Sequence, residues 1–585
     1  MSRLVRHLAD WEGVSTLVHA PDAPDAPWWR QAVIYQIYPR SFADSDGDGI
    51  GDLPGIIERL PYLATLGVDG IWLSPCYPSP QADGGYDVAD YRDIDPRFGT
   101  LADMEGLVAA AHRLGLRVLL DLVPNHSSDE HAWFVEALAA GPDSPQRARY
   151  HFVPGRGPGG AEPPNNWVSV FGGSAWTQVE AGHWYLHLFD TRQPDFNWDN
   201  EEVRAEFAAV LRFWLDRGVD GFRVDVAHGL VKAAGLPDGD PEVIRITPDD
   251  PRFDASIPSP CWDQDEVHEV YRTWRSLLDQ YGAKEGSADR ETAGGRILCA
   301  EAWVEPMDRA LAYVRPDEMH QAFAFPFLQS PWRAHDVRVA VETMLRGYDG
   351  VGAPTTWVLS NHDVVRHATR LGYPPARVRP NSGIRPEDPQ PDAALGLRRA
   401  RAATALMLAL PGAAYLYQGE ELGLPEHTTL PPQARQDPLW HRSGGACVGR
   451  DGCRVPMPWA GSEPGLGFGS TGRTWLPQPP RYADLAADRQ HGVQGSTLEL
   501  YRAMLTWRRS AALGRGSLAW LASYPLGSDV VAFENAPVGG TPTICLTNFG
   551  AEPVPLPPGR LVVSSADLRD DGRVPTDVTV WVRAG

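Results

Sequence analysis

Five residues whose types could do chemistry stand at the ends of short apolar runs: Arg223 and Asp225 in GFRVDVAHG, Glu301 in CAEAW, and His362 and Asp363 in SNHDVVR. Three carboxylates, a guanidinium and an imidazole gathered at one place form the set that cleavage of a glycosidic bond requires. One carboxylate attacks, one carboxylic acid protonates the leaving oxygen, and the remaining groups hold the sugar. Arg223 and Asp225 are two apart, so on a strand they share a face. Arg223 is then placed to keep Asp225 ionised through a charge-assisted hydrogen bond, which suits a nucleophile. Glu301 follows the apolar ILCA, an approach that suits a general acid. A single carboxylate at a strand end is more often a cap or a loop ion pair, so the joint pattern carries the reading.

These groups need elements to position them, and the chain alternates strand and helix signals. VIYQIY (33–38), GIWLSP (70–75), RVLLDLV (117–123), DGFRVD (220–225), RILCAE (296–301), QAFAFP (321–326), TTWVLS (355–360) and AAYLYQG (413–419) read as strands. IIERLPYLATLG (56–67), LADMEGLVAAAHRLG (101–115) and EEVRAEFAAVLRFWLDRG (201–218) read as helices. Eight strands, most followed by a helical stretch, predict a (β/α)₈ barrel with its site at the carboxyl ends of the strands; Asp121 also ends a strand there. A doubly wound open sheet is the rival, but no GxGxxG opens a helix after the first strand. Residues 1–27 read as a flexible lead-in, 28–126 and 196–515 as the barrel, and 127–195 as an irregular insert after the third strand. From 516 to 585 short turn-bounded β segments (AWLASYPL, VVAFENA, TICLTNF, RLVVSS) predict a C-terminal antiparallel β domain.

Composition narrows the class. A formal charge of −22 and the absence of a Lys/Arg run argue against nucleic acid as a partner. No run of 18 or more apolar residues is present, which argues against a membrane span, and MSRLVRHLADWEG lacks the apolar core of a secretory signal. Six cysteines in 585 residues do not make a disulfide framework, and CVGRDGC matches no zinc pattern; the expectation is reduced thiols in a cytoplasmic protein.

The chain resembles glycoside hydrolase family 13, the α-amylase family, on DLVPNH (121–126), GFRVDVAHG (221–229), AEAW (300–303) and SNHD (360–363), which match its conserved regions in order. The resemblance implies Asp225 as nucleophile, Glu301 as general acid/base and Asp363 as the third carboxylate, with Arg223, His126 and His362 around the same ring. It implies double displacement with retention, which needs the Asp225 and Glu301 carboxyls about 5–5.5 Å apart. It also makes residues 127–195 the family's B domain, one wall of the pocket.

QPDFNW (193–198), DGGYDVADY (83–91) and GCRVPMPW (452–459) are similar to the α-glucosidase and oligo-1,6-glucosidase branch. There an aspartate, a tyrosine and an arginine close the pocket around a terminal glucose, and the matching positions are Asp83, Tyr86 and Arg454. An Asp83–Arg454 clamp implies exo-acting release of glucose from small α-glucosides, such as maltose and short α-gluco-oligosaccharides. Val226, after the nucleophile, leans towards α-1,6 linkages in that branch, although a buried strand valine is also a common packing choice. VDVAHG is similar to maltose-type enzymes, so α-1,4 is placed first. The same residues could run transglucosylation or isomerisation, as in trehalose synthase. A non-catalytic sugar-binding barrel is opposed by the presence of all three carboxylates.

DSDGDGIGD (44–52) places Asp44, Asp46 and Asp48 at positions 1, 3 and 5 of an EF-hand-like loop, with Ile50 offering a backbone carbonyl and Asp52 at position 9. Position 12 is Gly55, so the bidentate Glu is missing. One structural Ca²⁺ or Mg²⁺, away from the chemistry, is the expectation, and no organic cofactor. Loop 425–453 is long, lacks a helical pattern and is expected to cover the aglycone side. Phe171, Trp176 and His183 are candidate sugar contacts that read equally as packing.

Overall fold

The computed structural model describes residues 17–240, 259–282, 295–374 and 383–584. Eight parallel strands run Val33–Ile37, Gly70–Leu73, Arg117–Leu122, Gly221–Val224, Ile297–Ala300, Gln321–Ala322, Thr356–Val358 and Ala413–Tyr417. Each lies within an expected run. Neighbours pair in chain order, the eighth pairs with the first, and a bridge from Phe323 to Thr356 links the sixth and seventh, so the sheet closes. The runs are mostly apolar because both faces are covered, by helices outside and by the barrel's own side chains inside.

Helices start and stop where the sequence permits. Asp52 caps the helix Leu53–Leu66 by accepting the Gly55 N–H, and Gly67, at φ 100°, ends it in the left-handed region that a side chain resists. Thr100 and Asp103 form a capping box at the start of Leu101–Arg113, and Asn200 caps Glu201–Leu215.

Inside the barrel, Ile34, Trp72, Leu119, Cys299, Val358 and Tyr415 belong to one buried cluster. Strand periodicity carries this inward face towards the carboxyl ends. Two residues on, Leu119 gives Asp121, Arg223 gives Asp225 and Cys299 gives Glu301; four on, Val358 gives His362. Apolar packing thereby sets which polar residues enter the mouth.

After the third strand the chain leaves the barrel to form a helix, Ala132–Ala139, and a three-stranded antiparallel sheet of Phe152–Pro154, His183–Leu186 and Trp176–Glu180. It returns beside its exit, with bridges His126 to Asp195 and Tyr150 to Phe196.

The C-terminal sheet has six strands, in the order Leu17–His19, Leu518–Trp520, Val530–Asn535, Thr543–Asn548, Val578–Arg583 and Arg560–Ser564. Two of these were not expected. Val578–Arg583 lies between Thr543–Asn548 and Arg560–Ser564, with Trp581 and Thr579 donating to carbonyls of Ala405 and Ala402 on the helix Ala393–Ala409. Leu17–His19 falls in the stretch read as a lead-in, whose residues 1–16 lie outside the described residues. It pairs antiparallel to Leu518–Trp520, buries Val18, and holds Asp349 through His19 Nδ1 at 2.8 Å. That tie fixes one end of the lead-in to both the sheet and the barrel.

Candidate active site

Ladder hydrogen bonds continue past the strand ends and set the candidate carboxyls. Asp225 N–H donates to Leu122 O at 2.8 Å, Glu301 N–H to Val224 O at 3.0 Å, and Ala227 N–H to Glu301 O at 2.9 Å. Arg223, 1% exposed, reaches three carboxylates. Its Nη1 donates to Asp121 Oδ1 at 2.9 Å and Asp225 Oδ1 at 2.6 Å, and its Nη2 lies 3.2 Å from Glu301 Oε2. Trp72 Nε1 and Tyr86 Oη both donate to Asp121 Oδ2, at 3.1 and 2.9 Å. Asp121 therefore anchors Arg223 and Tyr86.

Glu301 is held on both oxygens. The Val226 N–H donates to Oε2 at 2.9 Å and Trp303 Nε1 to Oε1 at 2.8 Å. Val226 adopts φ 46°, a left-handed conformation that a β-branched residue resists, one residue beyond the nucleophile candidate. The fourth strand ends at Val224, so Val226 is not a strand packing position. Its strained backbone instead turns an N–H onto Glu301.

The expectation that Arg223 keeps Asp225 at a low pKa is not met. Burial pushes the Asp225 carboxyl well above the carboxylate range; Arg223 opposes this, but Glu301, Asp121 and Asp363 add negative charge. Burial likewise raises Asp121 to about 6, against Arg223. One guanidinium shared with Glu301 does not offset the burial of Asp121 and Asp225, and these two aspartates titrate together.

Asp363 behaves oppositely. Burial opposes its ionisation, yet His362, Arg450 and Arg454 hold it well below the usual carboxylate range. His362 is itself pushed well below the imidazole range by burial, so near neutral pH the two arginines supply the positive field. Its Nδ1 meets Gln36 Nε2 at 2.7 Å, its Nε2 lies 3.1 Å from Asp363 Oδ2, and its ring stacks on Tyr86 at 5.1 Å. His126, neutral because burial lowers it to about 4, sits between Asn125 Nδ2 at 3.1 Å and Gln193 Nε2 at 3.0 Å.

The clamp arginine differs from the expected one. Arg450, not Arg454, reaches Asp83: its Nη2 donates to Asp83 Oδ1 at 2.6 Å, its Nη1 to Asp363 Oδ1 at 3.1 Å and its Nε to Asp437 Oδ2 at 2.7 Å. Arg454 instead donates to Asp363 Oδ1 at 2.9 Å and to the His362 carbonyl at 2.8 Å. The short 3₁₀ turn Asp451–Cys453 separates the two arginines, which meet at Asp363 Oδ1, while only Arg450 also donates to Asp83 and Asp437. Gln193 Nε2 completes the wall, 3.2 Å from Asp83 Oδ2. Arg450, Gln193 and Trp303 were missed as site residues. Arg450 sits in the same GRDGCR run as Arg454, Gln193 opens QPDFNW, and Trp303 closes AEAW.

Of the three aromatic candidates, only Phe171 joins the site, its ring 5.3 Å from the Arg450 guanidinium. Trp176 is buried in the inserted domain with its Nε1 on Asn165, and His183 lies on that domain's sheet. Loop 425–453 contains a short helix, Pro438–Arg442, from which Arg442 donates to Gly172 O at 2.6 Å and lies 3.5 Å from Asp190. The loop thus bridges to the inserted domain beside Phe171.

In DSDGDGIGD, Asp44, Asp46 and Asp48 bring carboxylate oxygens within 4.8 Å of one another. Burial, with Asp48 and Asp46 nearby, raises the Asp44 carboxyl, as expected of a carboxylate without a counter-cation. The three residues fit a divalent cation. Asp52, expected as a fourth carboxylate, is outside this group of three; its Oδ1 accepts Gly55 N–H at 2.6 Å, and its Oδ2 accepts Ser45 N–H and Oγ–H at 3.0 and 2.8 Å. It caps a helix rather than facing the other three.

A closed parallel barrel carrying acid, arginine and histidine side chains at its carboxyl ends places the chain among the (β/α)₈ barrel enzymes. The chain belongs to the α-amylase family: the model of the α-amylase catalytic domain matches residues 36–516, and it is a glycoside hydrolase. It is 39% identical to a probable alpha-glucosidase of Rhizobium meliloti (strain 1021), over 85% of this chain and 86% of that protein. It is 35% identical to the oligo-1,6-glucosidase of Parageobacillus thermoglucosidasius, over 82% and 84%. Among solved structures, the alpha-glucosyl transfer enzyme XgtA is 36% identical with a TM-score of 0.79, covering 96% of this chain and 100% of its own. The trehalulose synthase MutB of Pseudomonas mesoacidophila MX-45 is 29% identical with a TM-score of 0.78, over 96% and 100%.

Proposed function

We propose that this chain is an exo-acting retaining α-glucosidase that removes terminal non-reducing glucose from maltose and short α-gluco-oligosaccharides, α-1,4 linkages ahead of α-1,6. The observation that carries this reading is the single guanidinium of Arg223, which holds Asp225 at 2.6 Å and Glu301 at 3.2 Å on its two terminal nitrogens. Two carboxyls on one planar fork fit the close spacing of a double displacement better than the wider gap that admits a water.

In the first step Asp225 attacks the anomeric carbon while Glu301 gives its proton to the departing glycosidic oxygen. In the second, Glu301 takes a proton from water as that water's oxygen replaces Asp225 on the sugar. Asp363, kept ionised by Arg450 and Arg454, receives sugar hydroxyls. Asp83 and Arg450 close the far end of the pocket, leaving space for one glucose.

The deciding experiment is glucose release from maltose, isomaltose, sucrose and soluble starch. Glucose from the disaccharides and little from starch is the expected result; maltodextrins from starch would overturn the exo reading, and isomaltose as sole substrate would overturn the linkage order. New glucosides accumulating at high maltose, with little free glucose, would favour glucosyl transfer instead.

The raised Asp225 pKa has a sign that can be checked. Attack needs the ionised form, so kcat/KM falls as pH drops through the raised value, and its acid limb should lie above the ordinary aspartate value of about 3.9. The same shift makes ionised Asp225 a stability cost: its contribution is intact below the ordinary value and is lost as pH rises through the raised one. An acid limb at or below pH 4, from a rate profile on maltose, would contradict this.

We assign Asp44, Asp46 and Asp48, with the Ile50 carbonyl, to one Ca²⁺ or Mg²⁺ that neutralises the turn before the first helix. Chelation should lower the thermal midpoint by several degrees while leaving the initial rate at 25 °C unchanged. Immediate loss of rate on chelation would place the ion in the chemistry instead. The six cysteines are free thiols, which supports a reduced, cytoplasmic setting, and among the described residues no helix is long and apolar enough to cross a membrane.

A further inference from the structure

Glu301 must lose a proton in one half-reaction and regain it in the next, so which of its oxygens carries that proton matters. The two oxygens stand in different fields. Oε2 faces the Val226 N–H at 2.9 Å and the Arg223 Nη2 at 3.2 Å. Arg223 is a permanent cation, and the Val226 N–H is fixed by backbone, so Oε2 is surrounded by donors and is the poorer place for a proton. Oε1 faces the Trp303 Nε1–H at 2.8 Å, a donor without charge. A hydroxyl oxygen can accept that bond and still donate its own proton outward, and a carboxylate oxygen can accept it equally well.

Trp303 is held for this task. Its ring lies flat on Phe325, centroids 3.6 Å apart and planes within 4°. Phe325 is buried at the start of the short helix Phe325–Leu328, which follows the sixth barrel strand. The indole therefore rests on the wall of the barrel mouth, while its N–H reaches across to the end of the fifth strand.

We infer that Trp303 is a positioning residue for acid/base catalysis, its indole N–H fixing Glu301 Oε1 as the oxygen that delivers and recovers the proton. The inference rests on the α-glucosidase reading above. In the first half-reaction the Oε1–H bond breaks as its proton passes to the glycosidic oxygen, the bond from that oxygen to the anomeric carbon breaks, and Asp225 forms the ester. In the second, water bonds to the anomeric carbon, the ester bond breaks, and the proton from water returns to Oε1. Trp303 keeps its N–H throughout and exchanges nothing; a neutral donor adds no charge that would oppose either direction of transfer.

The test compares two substrates in wild type and Trp303→Phe, which keeps an aromatic ring on Phe325 but lacks the N–H. Maltose needs protonation of its leaving oxygen; a dinitrophenyl α-glucoside does not. General acid/base catalysis is worth about 10²–10⁴-fold, and loss of positioning should remove a tenfold or greater part of it. We expect kcat/KM for maltose, which reports formation of the ester, to fall at least about tenfold, and kcat/KM for the dinitrophenyl glucoside to stay within about threefold. The pH dependence of kcat on maltose should shift in the same variant. Equal losses of kcat/KM on both substrates would mean a structural role only and overturn the inference, as would an unchanged kcat/KM on maltose. If Trp303→Phe does not fold by circular dichroism, Trp303→Leu is read by the same ratio. A wild-type enzyme inactive on every α-glucoside would instead sink the parent reading, so the two failures are distinguishable.

Discussion

Asp225→Asn is expected to lower kcat on maltose by about 10⁴-fold or more, because a group that forms the covalent bond cannot be replaced by its neighbours. The substitution is nearly isosteric and keeps an oxygen for Arg223 Nη1, so the site's geometry should persist. Stability separates loss of chemistry from loss of fold. Burial and the carboxyls of Glu301, Asp121 and Asp363 make the ionised Asp225 costly in the folded state, so the neutral amide should keep or raise the thermal midpoint. An inactive variant with an equal or higher midpoint is the expected pair of results. A fluoroglucoside that forms the ester but releases slowly should label the wild type on the peptide carrying Asp225, as shown by mass spectrometry. Retention of more than about a hundredth of the activity, or labelling at Asp121 or Asp363, would remove Asp225 from the nucleophile's place.

The barrel was legible because its strands are mostly apolar runs and because side chains alternate with a period of two. That alternation alone takes Leu119 to Asp121, Arg223 to Asp225 and Cys299 to Glu301, so the mouth could be read from the core. What escaped depends on long-range pairing or on local turns. Leu17–His19 has one buried apolar residue, Val18, and takes its strand conformation from Leu518–Trp520 at the far end of the chain. Asp52 fits a metal loop by spacing, yet it also precedes Leu53–Pro54 as a helix cap, and the cap won because the helix end needs an acceptor. The field at Asp225 could not be read from Arg223 alone, since it depends on how closely Asp121 and Glu301 share that guanidinium.

The same limit produced the misassigned clamp, and it supplies the second large prediction. Spacing in GRDGCR gives two arginines, but only the fold shows that Arg450 Nη2 meets Asp83, its Nη1 Asp363 and its Nε Asp437. Arg450→Met strips one cation from three carboxylates, two of them, Asp83 and Asp437, buried; Arg454 donates to Asp363 and reaches the other two only through its charge. Removing one partner of a buried ion pair costs about 3–5 kcal/mol of stability. At a binding site the comparable loss is about 2–5 kcal/mol, roughly 30- to several-thousand-fold in kcat/KM. Arg450→Lys should not restore it, because an ammonium cannot fork to three acceptors. Selectivity then tells the two arginines apart. With the Asp83–Arg450 wall broken, the rate on soluble starch relative to maltose should rise in Arg450→Met, whereas Arg454→Met should lower kcat through Asp363 and His362 while leaving that ratio as in wild type. Product analysis by chromatography reads both. If Arg454→Met is the variant that admits longer chains, the wall is built from Asp83 and Arg454 after all, and the contact of Arg450 with Asp83 is incidental to where the substrate ends.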